Sequence, residues 1–260
     1  MKANYHTHTT RCQHARGTDE EYVLAAIEAG FEELGFADHS PWRYASDYVP
    51  DMRMTIDQFP DYLHSIRALR EKYKDKIRIK IGLECEYFPS MMSWLRGLAD
   101  GAELDYLIFA NHHAGSDEHC PYFGHHDLLE LYLPSILEGM QCSDYAYVAH
   151  PDLYMRSHCV FDAPAKEAAR QICREAKRLD RILEYNLLGL RKGKKKTPKG
   201  EGFYPHPDFW RIAAEEGCRA ILGTDAHAPE QLYDGDYRRQ ALKFLGELGI
   251  EVVETFPMRR

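Results

Sequence analysis

The sequence predicts an α/β fold, a βα barrel of about seven units built from a single domain over residues 1–260. Three observations predict it. Apolar, β-rich runs alternate with amphipathic helical stretches. Residues that bind metals recur at the ends of the predicted strands, where such a barrel collects its active site. No internal repeat or low-complexity linker divides the chain.

The predicted strands are short apolar runs, and polar residues follow most of them. Seven runs end near His8, His39, Glu84, His112, His150, Asn186 and Asp225, and a last run covers residues 251–256. Because the carboxyl ends of parallel strands share one edge of a sheet, we expect the residues at these ends to lie together.

The predicted helices fill the gaps between the strands. The first begins after Thr18, which forms a capping-box pattern with Glu21, and ends at Gly30. A second begins at Thr55 and a third after Asp162. Both carry an apolar stripe that predicts core packing: Phe59, Tyr62, Leu63, Ile66, Leu69 and Tyr73 in the second, and Ala165, Ala168, Ala169, Ile172, Cys173 and Ala176 in the third.

Composition and charge exclude several classes of protein. The formal charge of −8 argues against a broad nucleic-acid-binding surface. No apolar run approaches the roughly 20 residues of a membrane span, and the first residues lack the apolar stretch of a signal peptide. The 7 cysteines form no C-x-x-C pair, so we expect reduced thiols. These features predict a soluble cytoplasmic protein and leave its oligomeric state open.

Three short strings place metal-ligand residues at predicted strand ends. His6 and His8 lie two positions apart, as do Asp225 and His227, so each pair points to one side of a strand. Glu84 ends another strand, and four further histidines lie at or just past strand ends: His14, His39, His112 and His150. The pattern predicts a polynuclear metal site. The remaining histidines are predicted to be surface residues: His64, His113, His119, His125, His126, His158 and His206.

These ligand types suggest a reaction. Imidazole and carboxylate suit zinc, iron or manganese, and the two oxygens of Glu84 make it the natural bridging ligand. Two or three cations would carry more charge than Glu84 and Asp225 neutralise, so the site should attract an anion. The cations would also lower the pKa of bound water to about 7. Phosphate-monoester hydrolysis gains most from both effects, because without a catalyst it is among the slowest reactions known.

Longer motifs connect the chain to a known family. Residues 6–14 and 35–40 resemble the opening of the polymerase and histidinol phosphatase (PHP) family. Residues 82–87, 149–152, 183–186, 189–192 and 204–205 resemble its stand-alone histidinol-phosphatase branch. The resemblance implies a distorted (β/α)7 TIM-like barrel that hydrolyses L-histidinol phosphate to L-histidinol and phosphate in histidine biosynthesis.

The resemblance also implies three divalent metal ions and their ligands. The ligands form three sets: His6, His8, Glu84 and Asp225; Glu84, His112 and His150; and His14, His39 and His227. We expect a metal-bridging hydroxide to attack phosphorus in line. Glu84, Asp225, His227 and Arg156 are the predicted catalytic residues.

Two arginines are candidates for binding the substrate. Arg156, six residues beyond His150, is the predicted phosphate clamp, because a guanidinium group can hold two phosphate oxygens. Arg191 is a second candidate. The sequence assigns no proton donor to the leaving alkoxide.

Three features depart from the family or need a separate interpretation. Thr224 stands where the family more often has serine and keeps the hydroxyl. The loop over residues 192–202 contains Lys194, Lys195 and Lys196, and is either a solvated loop or a lid that attracts phosphate. Cys12 is interpreted as a structural neighbour of the metal ligands.

Three alternatives are open from the sequence. A PHP phosphoesterase could act on nucleotides or oligonucleotide ends, although the acidic balance weighs against this. An amidohydrolase-type barrel also begins with H-x-H but would not need Glu84, His14 or His39. A non-catalytic metal-dependent binding protein is the third alternative.

Overall fold

The computed structural model describes residues 2–113, 115–118, 128–197 and 200–259. Its strands are β1 (Ala3–Asn4), β2 (Glu33–His39), β3 (Arg78–Cys85), β4 (Tyr106–Phe109), β5 (Ile182–Asn186), β6 (Lys195–Thr197), β7 (Gly200–Gly202), β8 (Arg219–Gly223) and β9 (Val252–Val253). Its α-helices are α1 (Asp19–Glu28), α2 (Phe59–Lys72), α3 (Met92–Gly101), α4 (Leu128–Met140), α5 (Met155–His158), α6 (Ala163–Arg178), α7 (Leu187–Lys192), α8 (Pro207–Glu215) and α9 (Gly235–Glu247). Short 3-10 helices cover Thr10–Cys12, Ile56–Gln58, Pro89–Met91 and Pro229–Tyr233. None of the described helices has both the length and the apolar character needed to cross a bilayer.

Local hydrogen bonds confirm the predicted helix starts. Thr18 caps α1 and exchanges the two hydrogen bonds of a capping box with Glu21. Thr55 precedes a 3-10 turn that leads into α2, and Asp162 caps α6. The predicted stripes of α2 and α6 are buried except for Leu63, which is half-buried. Helical periodicity in the sequence therefore identified the faces that pack on the core.

The strands form a curled parallel sheet. β1, β2, β3 and β4 are neighbours in that order, and β5, β8 and β9 form a second parallel group. Isolated parallel bridges link the two groups: Val148 pairs with both Phe109 and Leu183, and Thr7 pairs with Ala226. Because these pairings are parallel, the strands direct their carboxyl ends to one edge. β6 and β7 form a separate antiparallel hairpin.

Buried side chains form two apolar clusters, and successive strand residues alternate between them. On β4, Leu107 and Phe109 belong to the larger cluster, whereas Tyr106 and Ile108 belong to the smaller. The alternation follows from the two-residue period of a strand. The larger cluster includes the buried helix residues and the smaller one lies on the other face of the sheet.

The last strand is shorter than predicted. The sequence predicted a strand over residues 251–256, but β9 contains only Val252 and Val253, paired with β8. Phe256 packs instead in the smaller cluster, with its ring centroid 4.5 Å from that of Tyr5 and 5.5 Å from that of Tyr106. Burial of this large aromatic ring accounts for the departure from an edge strand.

Gly82 offers a test of the packing inside the sheet. A Cβ at this position would lie 2.7 Å from the carbonyl oxygen of Tyr106, a main-chain atom that cannot rotate away. Gly82→Ala should lower the free energy of unfolding by about 1–3 kcal/mol, as overpacking does, which urea unfolding would measure. Gly97→Ala in α3 is the control, because a Cβ there would meet no described atom within 4 Å. Equal stability of the Gly82 variant and wild type would contradict the packing.

Candidate metal centre

The predicted ligands converge at the carboxyl edge of the curled sheet. His39 is the last residue of β2, and Glu84 lies one residue before the end of β3. Most of the other ligands lie in the segments that follow a strand or a bridge, as the sequence predicted. The side chain of His14 is exposed and that of His227 half-buried, while the rest are buried: His6, His8, His39, Glu84, His112, His150 and Asp225.

The Glu84 carboxylate lies at the centre of this cluster. Its Oε1 faces three imidazoles and its Oε2 faces two more. The nearest nitrogens lie 2.9 Å (His150), 3.3 Å (His6) and 3.6 Å (His112) from Oε1, and 2.9 Å (His39) and 3.5 Å (His8) from Oε2. A carboxylate whose two oxygens face different groups of imidazoles has the arrangement expected of a bridging ligand.

Candidate ligand atoms lie within 4.8 Å of one another in several groups. Four of these groups contain predicted ligands alone: His14, His39 and His227; His6, His8 and Glu84; His39, Glu84 and His112; and His6, His150 and Asp225. The first is one of the three sets that the resemblance implied, and the second is part of another. A further group joins Cys12 to His8 and His227, so the interpretation of Cys12 as a non-ligand stays a prediction.

The pair formed by His14 and His227 shows most directly why a cation fits here. His14 Nδ1 lies 2.7 Å from the carbonyl oxygen of Cys12, and His227 Nδ1 lies 3.0 Å from that of Asp225. A carbonyl oxygen only accepts, so both Nδ1 atoms carry the proton. The His14 ring is partly covered although the residue is exposed overall, and desolvation, reinforced by the charge of nearby His8, lowers the pKa of both rings and keeps them neutral. Their two Nε2 atoms lie 3.0 Å apart and direct lone pairs at each other. A cation bound by both nitrogens would remove this repulsion.

Three more imidazoles are oriented by buried carboxylates behind them. Glu184 lies 2.7 Å from His6 Nδ1, Asp38 lies 3.2 Å from His8 Nδ1, and Glu86 lies 2.9 Å from His112 Nδ1. Each contact directs the Nε2 atom of the ring toward Glu84. A carboxylate behind a ligating histidine is a common arrangement in metal sites, because it fixes the tautomer and orientation of the ring.

Sequence reasoning did not assign roles to these carboxylates, although two of them carried a usable signal. Glu86 lies two residues after Glu84, just past the end of β3, a spacing that in an extended chain sets two side chains on one side. Asp38 directly precedes His39 and accepts from its backbone N–H at 2.9 Å. Glu184 lies 178 positions from His6, and no local pattern reveals that contact.

Several buried ligand atoms lack a hydrogen bond of good geometry within the described part of the chain. They are His6 Nε2, His8 Nε2, His39 Nδ1 and Glu84 Oε2. Buried polar atoms are nearly always paired, and a bound ion is one recognised explanation for exceptions. The donor set of imidazole and carboxylate matches zinc, iron or manganese. The residues therefore fit a group of divalent cations.

The two acidic ligands remain charged despite their burial. Burial by itself raises the pKa of Glu84, but the imidazoles of His39, His6 and His112 hold that pKa well below its usual range. Burial also opposes ionisation of Asp225, and His6 and His8 hold its pKa low in the same way. Both side chains therefore offer anionic oxygens at neutral pH.

A cavity of about 270 Å³ opens above these ligands. Its wall includes three basic side chains, Arg156, Lys192 and Lys195. Apolar groups complete it: Met52, Leu153, Leu188 and the Tyr204 ring. The predicted clamp Arg156 thus lies in the same cavity as the candidate ligands, where an anion would meet both.

The second predicted arginine lies elsewhere. Arg191 pairs with Asp234, donates to the carbonyl oxygen of Gln231 at 3.3 Å and stacks over Tyr237. These contacts direct Nε and Nη2 toward α9 and the turn before it, while Nη1 has no hydrogen-bond partner among the described residues. Its role in substrate binding stays a prediction.

The lysine-rich loop contains a short antiparallel hairpin. Residues 195–197 and 200–202 form the β6–β7 hairpin, while residues 198 and 199 lie outside the described part. Lys195 lines the cavity, whereas Lys194 pairs with Glu201 at 2.9 Å. One side of the hairpin therefore adds positive charge to the cavity.

The predicted surface histidines divide into three groups. His64 is exposed and His158 is half-buried. The prediction is wrong for His113 and His206, which are both buried. His206 caps α8 and stacks between Phe161 and Phe203, with ring centroids 4.9 and 4.8 Å away, and such aromatic packing has no sequence signal. His119, His125 and His126 lie outside the described residues.

Comparisons with known proteins identify the family of this chain. Residues 4–187 match the family described as PHP domain. A protein of Deinococcus radiodurans described as a probable histidinol-phosphatase is 31% identical over 98% of this chain and 96% of its own length. A probable histidinol-phosphatase of Schizosaccharomyces pombe is 27% identical over 96% of this chain and 88% of its own.

A solved structure extends the similarity to three dimensions. The crystal structure of histidinol phosphate phosphatase from Lactococcus lactis, complexed with zinc, L-histidinol and phosphate, aligns with a TM-score of 0.75 and 25% identity. The alignment covers 100% of this chain and 99% of the other. On the family match and the near full-length relatives, this chain belongs to the PHP family.

Proposed function

We propose that this protein is a metal-dependent phosphomonoesterase that hydrolyses L-histidinol phosphate to L-histidinol and phosphate. The observation that carries the proposal is the Glu84 carboxylate, whose two oxygens face separate groups of imidazoles beneath a basic cavity. The substrate follows from the relatives. The Lactococcus lactis enzyme, which aligns over the whole chain, was solved with L-histidinol and phosphate, the two products of this reaction.

Three divalent cations are the proposed cofactor. Their ligands would be the three sets named from the resemblance, with Glu84 shared between two of them. The cations would supply Lewis-acid polarisation of the phosphoryl oxygens and water of lowered pKa. Asp225 and His227 hold the edge of the centre nearest His8, where Asp225 Oδ1 lies 3.1 Å from His8 Nε2.

The cavity wall would bind and orient the phosphate ester. Arg156 offers two parallel N–H groups to phosphate oxygens, and Lys192 and Lys195 add positive charge on the same wall. Leu153 and Leu188 give the cavity an apolar side, which excludes water and strengthens the charge contacts inside. The substrate is therefore a small molecule that enters with its phosphate toward the ligands.

The bridges between the two strand groups support the predicted (β/α)7 barrel. If the segments at Thr7, Val148 and Ala226 count as strands, the sheet closes as a distorted (β/α)7 barrel. The larger apolar cluster runs from Tyr22 to Ile250, which supports a single domain across residues 1–260.

The first test concerns metal content. The purified protein should retain two or three transition-metal ions per chain, because the ligands offer enough donors for that number. Elemental analysis before and after chelation would measure the metal content, and a phosphatase assay on the same samples would measure the activity. Less than one metal per chain together with activity that survives exhaustive chelation would contradict the proposal.

The second test concerns Glu84. Glu84→Gln removes the negative charge between the cations and should lower kcat/KM by more than about 100-fold, beyond the effect usual for residues that only orient ligands. His14→Ala, which removes one exposed terminal ligand, is the comparison and should be less severe. Near-normal activity of the Glu84 variant with unchanged metal content would refute bridging.

The third test examines the substrate preference and the phosphate-binding role of Arg156 separately. Wild type should show a higher kcat/KM for histidinol phosphate than for adenosine monophosphate. Arg156→Ala should lower kcat/KM for both substrates. The loss should correspond to about 2–4 kcal/mol of transition-state stabilisation, because the lost contact is to the phosphate that the two substrates share. A wild-type preference for the nucleotide would defeat the substrate assignment. An unchanged rate in the Arg156 variant would defeat the clamp.

A further inference from the structure

Arg53 is a fully buried arginine in the long segment between β2 and the 3-10 helix at Ile56–Gln58. Its Nη1 and Nη2 atoms donate to the two oxygens of Glu86 at 3.0 and 2.9 Å. Its Nε donates to Asp117 at 2.8 Å, and Nη1 also donates to the carbonyl oxygen of Ser40 at 3.1 Å. A guanidinium group is buried at such a point only when its donors are used in this way.

Glu86 connects this arginine to the metal centre. Its Oε1 lies 2.9 Å from His112 Nδ1, and its Oε2 accepts from Trp42 Nε1 at 2.9 Å. The forked contact with Arg53 leaves the Glu86 carboxylate one orientation, and that orientation holds His112 with Nε2 facing Glu84 at 3.6 Å.

The corresponding carboxylates behind His6 and His8 are held differently. Glu184 accepts from the backbone N–H of His150 and from the side-chain amide of Asn186. Asp38 accepts from Thr9 and from the backbone N–H of His39. Those donors are neutral, whereas Glu86 accepts from the charged fork of Arg53 in addition to the neutral indole of Trp42. Among these three imidazoles, His112 alone depends on a buried cation.

The segment that carries Arg53 also contributes to the cavity. Its neighbour Met52 lines the cavity, and Tyr44 of the same segment donates to Asp117 at 2.8 Å. The carbonyl oxygen of Arg53 accepts from Gln13 Nε2 at 2.9 Å, next to the candidate ligand His14. Seating of this segment and orientation of His112 are therefore parts of one network.

We propose that Arg53 is a positioning residue that acts through Glu86 to set the affinity of the metal ion bound by His112. This inference rests on the metal centre of the proposed function and adds a residue outside its ligand sets. Loss of the fork leaves the Glu86 carboxylate held at one oxygen by Trp42 alone, so the tautomer and orientation of His112 are no longer fixed, while the ligands of the other ions keep their own partners.

Zinc binding tests the inference without reliance on activity. Wild type, Arg53→Met and Arg53→Lys would be titrated in zinc buffers, with bound zinc counted per chain. In Arg53→Met one equivalent should bind about 10- to 100-fold more weakly, the usual effect of losing such a partner. Arg53→Lys should be intermediate, because lysine keeps the charge but not the fork. If Arg53→Met does not fold, the isosteric Glu86→Gln should weaken the same equivalent.

Two controls identify the site of the effect. Arg181→Met removes hydrogen bonds to the carbonyl oxygens of Met140, Cys142 and Tyr145, so it should lower Tm and leave zinc binding unchanged. Combined with His112→Ala, the Arg53→Met change should cause no additional loss of zinc, because both act on one ion.

Three results would overturn the inference. They are unchanged zinc affinity in Arg53→Met, equal weakening of every equivalent, and additive losses in the double variant. Wild type that binds no zinc would instead overturn the metal centre itself, and with it this inference.

Discussion

The arrangement of this protein depends on a buried negative charge at the carboxyl edge of the sheet. Glu84 and Asp225 are almost fully buried, and the residues around them are mainly imidazoles, whose unprotonated nitrogens are themselves acceptors. Carboxylates and neutral imidazoles in such contact repel one another unless protons or cations lie between them. The site is therefore organised around positive charge, which protons on the imidazoles or bound cations would supply.

A second layer holds the ligands in place against this repulsion. Glu184 contacts both His6 and the backbone of His150, so one side chain fixes two strand ends. Space for it exists because residue 223 is glycine, where a Cβ would collide with the Glu184 carboxylate. The backbones of His150 and Asp225 have φ values of +29° and +50°, a region that residues other than glycine rarely adopt. Such strain is typical of functional sites that the surrounding structure holds rigidly.

The cavity above this centre combines two properties that a phosphate-ester site requires. Arg156 and two lysines supply local positive charge, although the chain as a whole carries −8. The apolar wall lowers the effective dielectric around that charge, so each contact to an anion is stronger than it would be in water. Net charge therefore says little about the sign of the field at the site, which a few converging side chains determine.

The sequence by itself determined the helix starts, the helix faces that pack on the core and the types of residue at the strand ends. These features depend on neighbours within a few positions: Thr18 with Glu21, the stripes of α2 and α6, and the alternation that sets His6 beside His8. Only the tertiary structure decided which distant groups meet. It brought Glu184 to His6 across 178 positions, buried His206 between two aromatic rings, and separated Arg156 in the cavity from Arg191 beside Asp234. Packing between elements fixes such contacts, and local periodicity carries no information about it.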